Sequence, residues 1–312
     1  MKRVKLPIKC LDTIALGAGI NSTMCACSEN ECVMSDSISG FEDFRGKVST
    51  LIENTGIEPK IIACDLHPTY NSTIFAKEFA VEHKARLVQI QHHKAHVAGA
   101  AAEHKLTDYV GIAMDGLGYG DDGTIWGGEV FDVSGGIEFK RVGHLERQIQ
   151  IGGDSATIYP KKMLFSILSK ILSEKEIAEL KLFDPKESGL YSKMLKDKFN
   201  IVYTSSSGRV LDAVSAFLGV CDKRTYDGEP AIELEKNSGE AMDIEICIRK
   251  EGDCSVLMTT PLFEFLLENR GIDRGVLGAT AQMYLAKGLY SIAEKIGKPI
   301  VFCGGVAHNK II

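Results

Sequence analysis

The sequence predicts an α/β protein built from two domains. Its 312 residues are enough for two ordinary domains, and an apolar fraction of 45% is ample for packed cores. Strand and helix patterns alternate through the first half of the chain, whereas the second half is largely helical. We therefore place the two domains at residues 1–155 and 156–312.

The first half opens with three short apolar runs, which predict an antiparallel meander because turn residues separate them. Alternating strand and helix patterns follow the meander. The predicted strands are residues 11–18, 23–27, 33–37, 60–63, 86–90 and 108–114, and the predicted helices are residues 41–53, 72–83 and 95–103. This order is that of a ribonuclease H-like domain, and it suggests the actin and sugar-kinase superfamily by analogy of fold.

The second half begins after a predicted hairpin of residues 124–133 and 137–142. Its predicted helices are residues 158–172, 174–182, 190–198, 207–221, 260–269 and 274–296, with a strand pair near 241–258. A strand at 299–303 then leads through Gly304-Gly305 into a helix that starts at Ala307 and ends with the sequence at Ile312. Because so short a helix is marginal without packing, we expect the second domain to be truncated at its C-terminus.

The charge and hydropathy patterns argue against two classes of partner. The formal net charge is -6, from 36 basic and 42 acidic residues, with no long run of one sign. The basic surface that is typical of DNA- or RNA-binding proteins is therefore not expected. The N-terminus lacks the features of a signal peptide, and no stretch reaches the roughly 18 apolar residues of a membrane span. We expect a cytoplasmic protein with neither membrane nor DNA as a partner.

Nine cysteines are scattered along the sequence without a Cys-x-x-Cys pair. An odd number of cysteines without a secretory signal suggests reduced thiols, most of them in the core. Cys25, Cys27 and Cys32 have the chemistry of metal ligands. The core interpretation is favoured for them, because Cys25 and Cys27 share one face of a predicted strand and no second cysteine pair accompanies them.

A group of histidines lies at a predicted strand-to-helix junction. On a helix, His92 and His96 project from one face, which is a geometry that suits a divalent metal. His93 points elsewhere and is predicted to be a hydrogen-bonding group beside the ligands. An ordinary pair of exposed or capping histidines is the alternative. The crowding of three of the eight histidines into five positions favours the metal.

A glycine-dense run from Asp115 to Glu129 follows a predicted apolar strand. Glycines let backbone N–H groups approach phosphate oxygens, and a carboxylate at a strand end holds a metal or orients water. A surface hairpin with Asp-Gly turns is the alternative. The number of glycines just after the histidines favours a functional loop.

Two further junctions precede predicted helices and are candidates for anion binding. Gly304-Gly305 opens one helix, whose N-terminus is available to an anion. Ser205-Ser206-Ser207-Gly208-Arg209 opens another and offers hydroxyl caps and a guanidinium, although an N-cap with a solvated arginine explains it equally well. Glu229 is explained by a solvated helix face. Cys303 is interpreted as a core residue rather than a nucleophile, because no base is evident nearby.

Several motifs, in order along nearly the whole sequence, resemble the C-terminal half of the HypF family of hydrogenase maturation proteins. They are Asp65-Leu66-His67-Pro68, His92-His93-Lys94-Ala95-His96, Asp115-Gly116 through Gly128-Glu129, Gly208-Arg209-Val210-Leu211-Asp212, Tyr226-Asp227-Gly228-Glu229 and Gly304-Gly305-Val306-Ala307-His308-Asn309. Together they are highly specific for that family and its O-carbamoyltransferase relatives. The resemblance implies an actin-like fold of two domains, related to the tRNA threonylcarbamoyltransferase.

The resemblance also implies a set of ligands and of residues that bind them. His92 and His96 would bind a divalent metal, iron or zinc, and Asp115 would join them or face the phosphates of ATP or carbamoyl-adenylate. The implied nucleotide-binding residues are Gly116, Gly118, Gly120, Gly208, Asp212, Glu229, Gly304, Gly305 and Asn309. The implied catalytic residues are Asp115, Arg209 and His93, with Arg209 near the phosphate.

HypF-like proteins pass the carbamoyl group to the C-terminal cysteine of HypE, toward the cyanide ligands of NiFe hydrogenase. The resemblance therefore implies a carbamoyltransferase with a HypE-like acceptor protein as its partner. The sequence has no YrdC-like part to make the adenylate, so a separate YrdC-like supplier is expected, and it ends before a family Asp-Gly-Gly motif that completes the metal site. The alternatives are an O-carbamoyl or tRNA threonylcarbamoyl transferase and a nonenzymatic actin-like subunit. The acidic net charge argues against tRNA.

Overall fold

A computed structural model describes residues 1–19, 22–38, 40–41 and 43–312, which form an α/β structure as predicted. These residues divide into two compact units. The first unit comprises Met1–Tyr109, Gly118–Gly123 and Val133–Phe139, and the second unit comprises Val110–Leu117, Thr124–Asp132 and Lys140–Ile312. The predicted domain boundary after residue 155 falls inside the second unit and stays a prediction.

The first unit contains a mixed sheet and the helices that connect its parallel strands. The strands are β1 (Lys2–Leu16), β2 (Met24–Met34), β3 (Ile61–Asp65) and β4 (Arg86–Ile90), and the helices are α1 (Phe44–Thr55), α2 (Asn71–Glu82) and α3 (His92–Glu103). The strand order is β2-β1-β3-β4. β1 pairs antiparallel with β2, whereas β3 runs parallel to both β1 and β4. The predicted alternation of strands and helices is thus confirmed.

The three short strands predicted at the start are wrong, because β1 and β2 are longer and continuous. The polar residues 28–31 have the composition of a turn, but they lie within β2. Glu29 adopts a left-handed conformation with φ of 52°. It pairs with Cys10 of β1, and the register between β1 and β2 shifts on both sides of this pair. A bulge gives the same sequence signal as a turn. Glu42, in the helix predicted at 41–53, lies outside the described residues.

The core of the first unit lies between its sheet and the helices α1 and α2. Ile14 and Ile62 of the sheet are fully buried in it. Phe44 of α1 and Phe75 of α2 meet edge to face, with ring centroids 5.7 Å apart. Aromatic pairs in this geometry contribute about 0.5–1.5 kcal/mol beyond the burial of their area. The packing fixes β3, whose end carries Asp65.

The second unit is built on a larger mixed sheet, and its strands alternate with helices less regularly. The strands are β5 (Tyr109–Tyr119), β6 (Ile125–Ser134), β7 (Glu138–Leu145), β8 (Gln148–Ile151), β9 (Ile201–Thr204), β10 (Ile248–Glu251), β11 (Cys254–Leu257) and β12 (Ile300–Cys303). The order is β10-β11-β7-β6-β5-β12, and β9 pairs with β6 and β8. β12 runs parallel to β5 and β11 parallel to β7. Stretches of β5, β6 and β7 belong to the first unit.

The helices of the second unit surround this sheet. They are α4 (Ser155–Ile158), α5 (Lys161–Leu168), α6 (Glu174–Glu179), α7 (Pro185–Lys196), α8 (Ser207–Phe217), α9 (Glu229–Lys236), α10 (Thr260–Glu268) and α11 (Arg274–Ala293), with short 3-10 helices at Glu294–Ile296 and Gly305–His308. Every residue of α8 is buried, and this helix contacts α5, α9 and α11. In the described part of the chain, no helix has the length and apolar character needed to span a membrane.

Two helix predictions in the second unit are wrong in detail. The helix predicted at 158–172 is interrupted between α4 and α5, because Pro160 restrains Tyr159 to an extended conformation with ψ of 87°. The helix predicted to start at Ala307 is a single 3-10 turn at Gly305–His308. The strands β8 and β9 were not predicted at all, because each has four residues and little alternation.

Candidate functional site

The histidine motif starts α3 directly after β4. Asp65 at the end of β3 pairs in register with Ile90 at the end of β4, so the residues that follow these parallel strands meet at one edge of the sheet. Gln91 caps the helix, since its side-chain oxygen accepts from the backbone N–H groups of His93 at 2.8 Å and Lys94 at 3.0 Å. The cap makes His92 the first residue of the helix.

His92 and His96 lie on one face of α3, as the spacing predicted. Their Nε2 atoms are 3.2 Å apart. Two nitrogens that share one tetrahedral zinc ion, each about 2.05 Å from the metal, are separated by about 3.3 Å. His92 is half-buried and His96 is exposed. The pair therefore has the donor atoms and the spacing to hold one divalent ion.

Asp65 orients His92, a role that the sequence did not reveal. Its Oδ2 lies 2.8 Å from Nδ1 of His92, and its side chain is only 5% exposed. Its other oxygen accepts the backbone N–H of His67 at 2.7 Å. A carboxylate that holds one imidazole nitrogen fixes the tautomer in which the other nitrogen binds a metal. The only signal was the motif Asp65-Leu66-His67-Pro68, which contains a carboxylate at a predicted strand end.

Replacing Asp65 with asparagine is expected to weaken metal binding by about 10- to 100-fold, the usual effect of losing such an orienting partner. An amide nitrogen placed toward Nδ1 of His92 favours the tautomer in which Nε2 carries the proton. Competition with a chelating dye measures the affinity. Asp121→Asn is the matched control, because Asp121 pairs with Lys94 at the surface of the same unit. Equal affinity in a folded Asp65→Asn protein would contradict the orienting role.

His93 points away from the other two histidines and is fully buried. Its Nδ1 lies 3.1 Å from Nε2 of Gln91, which also lies 3.1 Å from the carbonyl oxygen of Tyr119. A Cβ at Gly118 would lie 2.4 Å from Cε1 of His93, so glycine is needed there for close packing. Gly120 accepts a turn hydrogen bond from Gly123. The catalytic role of His93 and the nucleotide-binding roles of Gly118 and Gly120 stay predictions.

In the second unit, Asp115 lies where two backbone segments approach each other. Its Oδ1 accepts from the backbone N–H groups of Gly116 at 2.7 Å and Gly305 at 3.2 Å. Gly304 has φ of 101°, and a Cβ there would lie 2.2 Å from the carbonyl oxygen of Met114. Only glycine accommodates both the conformation and the close approach. The role of Asp115 as a metal ligand or a catalytic residue stays a prediction.

The start of α8 lies against the Asp115-Gly116 segment. Ser206 caps the helix by accepting the N–H of Arg209, and its hydroxyl lies 2.7 Å from the carbonyl oxygen of Gly116. A Cβ at Gly208 would lie 2.8 Å from Cα of Gly116, whereas a Cβ at Gly116 would meet nothing within 4 Å. Three backbone segments therefore converge at the N-terminus of a buried helix, beside open space at Gly116. This arrangement suits a phosphate group.

Arg209 and Asp212 form a buried ion pair one turn into α8. Their closest atoms are 2.7 Å apart, and their side chains are 6% and 1% exposed. The alternative of a solvated arginine is therefore wrong. Burial raises the pKa of Asp212 to about 6, against the opposing effect of the Arg209 charge. The roles of Arg209 near a phosphate and of Asp212 near a nucleotide stay predictions.

The raised pKa of Asp212 predicts a pH-dependent stability. Its pKa is about 6 in the folded chain against an ordinary value of 3.8, so the folded chain binds more protons between these values. The contribution of this group to stability therefore falls as the pH rises from about 4 to about 6. Over that range, wild type should lose roughly 3 kcal/mol of unfolding free energy relative to Asp212→Asn. Urea denaturation at a series of pH values measures it, and a pH-independent difference would contradict it.

Two predicted nucleotide-binding residues make local contacts. Glu229, at the start of α9, accepts from the backbone N–H and the hydroxyl of Thr225, the latter at 2.9 Å. Asn309 donates to the side chain of Gln282 at 2.6 Å and accepts from the N–H groups of the last two residues. Both sets of bonds stabilise the chain around these residues. Their roles at a nucleotide stay predictions.

Glu129, at the end of the glycine-dense motif, is fully buried in a polar network that the sequence did not reveal. It accepts from the hydroxyl of Ser205 at 2.5 Å and from Nε of Arg141 at 2.6 Å. The Arg141 guanidinium lies 3.9 Å from the ring centre of Trp126. A buried carboxylate needs such partners, so the end of the motif fixes the backbone before α8.

Cys303 is half-buried, and its interpretation as a core residue rather than a nucleophile stays a prediction. Burial raises the pKa of the Cys303 thiol to about 12, and the charge of Asp115 acts in the same direction. Its thiol lies 3.7 Å from the carbonyl oxygen of Ile112. Since the thiolate is the nucleophilic form, Cys303 is unreactive near neutral pH.

Two family models match the chain in succession. The model described as "HypF Kae1-like domain" matches residues 9–103, and "Carbamoyltransferase, Kae1-like Domain, second subdomain" matches residues 111–312. A curated relative, "Probable carbamoyltransferase HypF" of Methanocaldococcus jannaschii, is 39% identical over 319 residues, covering 96% of this chain and 41% of the relative. "Carbamoyltransferase HypF2" of Cupriavidus necator is 34% identical over 243 residues, covering 75% of this chain and 30% of the relative.

Solved structures give the same result. A full-length HypF in the phosphate- and nucleotide-bound form has a TM-score of 0.89 at 27% identity, over 99% of this chain and 50% of that one. The HypF of T. kodakarensis has a TM-score of 0.89 at 29% identity, over 99% of this chain and 43% of that one. The likeness confirms the predicted actin-like, ribonuclease H-like fold class, and the chain spans half or less of each of these four proteins. The chain therefore belongs to the family of HypF Kae1-like carbamoyltransferase domains.

Proposed function

We propose that this chain transfers a carbamoyl group from carbamoyl-adenylate to an acceptor thiol during NiFe hydrogenase maturation in the cytoplasm. The observation that carries the proposal is the pair of Nε2 atoms of His92 and His96, 3.2 Å apart, with Asp65 behind His92. A carboxylate that orients one histidine, together with a second histidine one helical turn further on, forms a metal-binding arrangement. Family membership supplies the class of reaction.

His92 and His96 are the proposed protein ligands of the metal. Imidazole and carboxylate donors suit zinc and iron alike. When bound, such an ion polarises a substrate oxygen as a Lewis acid. Asp65 keeps His92 in the tautomer that binds, and the N-cap of Gln91 holds both histidines at the start of α3.

The proposed nucleotide site lies in the second unit, where Asp115-Gly116, Ser206–Gly208 and Gly304-Gly305 converge. Gly208 and Gly304 allow the close backbone approach, and the N-terminus of α8 offers a positive dipole to phosphate. A solved relative is described as phosphate- and nucleotide-bound, which supports ATP or carbamoyl-adenylate as the ligand. Arg209, Asp212, Glu229 and Asn309 are proposed to lie around that ligand, with Arg209 nearest the phosphate.

The proposed reaction exchanges one bond to the carbamoyl carbon for another. The acceptor sulfur attacks that carbon, a C–S bond forms, and the C–O bond to the adenylate phosphate breaks, so that AMP leaves and the thiol proton passes to solvent. We propose the C-terminal cysteine of a HypE-like protein as the acceptor and a YrdC-like carbamoyl-adenylate supplier as the source of the adenylate. Backbone groups that hold the adenylate phosphate in one place position the carbonyl of the carbamoyl group for attack.

Mass spectrometry of an acceptor peptide tests this proposal. The metal-loaded chain is mixed with carbamoyl-adenylate and a peptide that ends in cysteine, and the expected product carries one carbamoyl group on sulfur. A peptide ending in serine is the matched control for the acceptor, and His92→Ala/His96→Ala is the control for the enzyme. Carbamoylation at the same rate with and without the chain, or AMP release without a modified peptide, would overturn the proposal.

A further inference from the structure

Three thiols of β2 lie together on the first unit, apart from the histidine pair. The Sγ atoms of Cys25, Cys27 and Cys32 all lie within 4.8 Å of one another. Those of Cys25 and Cys27 are 3.8 Å apart. Cys32 is buried and the other two are half-buried. The cluster is therefore accessible to a small solute while lying against the protein.

The irregularity in β2 brings Cys32 to the other two thiols. Side chains alternate along a strand, so Cys25 and Cys27 share a face and Cys32 would take the opposite one. The left-handed residue Glu29, with φ of 52°, lies between them where the register shifts. An inserted residue at a bulge reverses the alternation. Met24 belongs to the core with α1 and α2, so the thiols face away from that core.

A fourth cysteine lies on β1, at the bulge between the clustered residues. Cys10 is the register partner of Glu29, directly across the bulge. Burial raises the pKa of the Cys10 thiol, and the neighbouring Cys25 adds to this effect, while a hydrogen bond with Cys27 lowers it. Three sulfurs of β2 therefore lie together, and the pairing of Cys10 with Glu29 makes Cys10 of β1 a candidate fourth ligand.

We propose that Cys25, Cys27 and Cys32, with Cys10 as the fourth ligand, form a structural site for a thiophilic divalent cation, Zn²⁺. Four thiolates around one tetrahedral zinc ion, with bonds of about 2.3 Å, have sulfurs separated by about 3.8 Å. The distance between Cys25 and Cys27 equals this value. Thiolate donors select soft or borderline cations, so the site differs in chemistry from the histidine pair.

The site would stabilise the first unit where its strand pairing is interrupted. The register of β1 with β2 breaks on both sides of Cys10. A metal that binds thiols of both strands would join them across this gap. A disulfide would join only two sulfurs, at about 2.05 Å, and would leave the other two unused. The proposal does not depend on the proposed transferase function.

Titration of the reduced chain with Co²⁺ tests the site. The His92→Ala/His96→Ala protein is used, so that the histidine pair does not contribute. We expect one Co²⁺ per chain, the intense thiolate-to-cobalt charge-transfer absorption, and displacement by Zn²⁺. Adding Cys25→Ser/Cys27→Ser should abolish the absorption, and adding Cys10→Ser should weaken binding by more than about tenfold. Cys221→Ser/Cys254→Ser is the matched control and should bind as before.

A second measurement covers the case in which the serine variants fail to fold. Bound Zn²⁺ should protect the four proposed ligand thiols of the unmodified chain from alkylation, read peptide by peptide in a mass spectrometer. Cys221 should react equally with and without Zn²⁺. A folded, reduced chain that gives neither charge-transfer absorption nor protection would overturn the proposal.

Discussion

Replacing His92 and His96 together with alanine is expected to lower the metal content by one ion per chain and to abolish carbamoyl transfer. The two imidazoles supply the paired Nε2 donors, and neither alanine offers a ligand. His96 is exposed, whereas the loss of His92 leaves the buried Asp65 without that partner. The unfolding free energy should therefore fall by only about 1–3 kcal/mol, so the chain stays folded. Elemental analysis by mass spectrometry measures the metal.

The control for this prediction removes two other histidines of the first unit. His83 and His104 are the C-cap residues of α2 and α3, outside the proposed site. His83→Ala/His104→Ala should keep the full metal content and the full rate of transfer. If the His92→Ala/His96→Ala protein kept both as well, the helical pair would not be the metal site.

Replacing Gly304 with alanine is expected to destabilise the second unit and to remove nucleotide binding. The residue has φ of 101°, where L side chains are strained, and the added Cβ would lie 2.2 Å from the Met114 carbonyl oxygen. Backbone strain and overlap together should cost about 2–6 kcal/mol. The segment must move away from Met114, which displaces Gly305 from Asp115. Denaturant titration measures the stability, and calorimetry measures the binding of ATP.

Gly297→Ala separates the two causes of this effect. Gly297 precedes β12 and has φ of 74°, but its Cβ position has nothing within 4 Å. This control therefore carries the conformational strain without the overlap. We expect it to cost about 1–3 kcal/mol and to bind ATP as wild type does. Equal loss of ATP binding in both variants would show that the approach of Gly304 to Met114 does not shape the site.

The fold class could be predicted from the sequence because the hydrophobic periodicity of the elements and the order of strands and helices are both visible there. The helix patterns near α1 and α2 and the strand pattern of β4 stand out against their turns, so their positions were predicted closely. The predicted meander differs from the structure because the polar residues around Glu29 are typical of a turn, whereas pairing with β1 continues β2 through a bulge. Likewise, the interruption at Pro160 follows from local sterics that a long apolar pattern conceals.

The candidate site was predictable only where its residues are close in sequence. The spacing of His92 and His96 on one helix is a local property, and it predicted the pair. Asp65 reaches His92 from a neighbouring strand, and the pairing of β3 with β4 is needed to see it. The same holds for the cysteines, because the bulge that gathers Cys32 with Cys25 is a property of the paired strands.

Calorimetric titration of the metal-analysed chain with ATP and a nonhydrolysable carbamoyl-adenylate mimic tests the central claim most directly. The claim is that this chain itself carries a histidine metal site and a nucleotide site. We expect stoichiometric nucleotide binding by wild type, and a metal content lower by one ion per chain in the His92→Ala/His96→Ala protein. A folded wild-type chain that binds no nucleotide, and whose metal content the substitutions leave unchanged, would contradict the account.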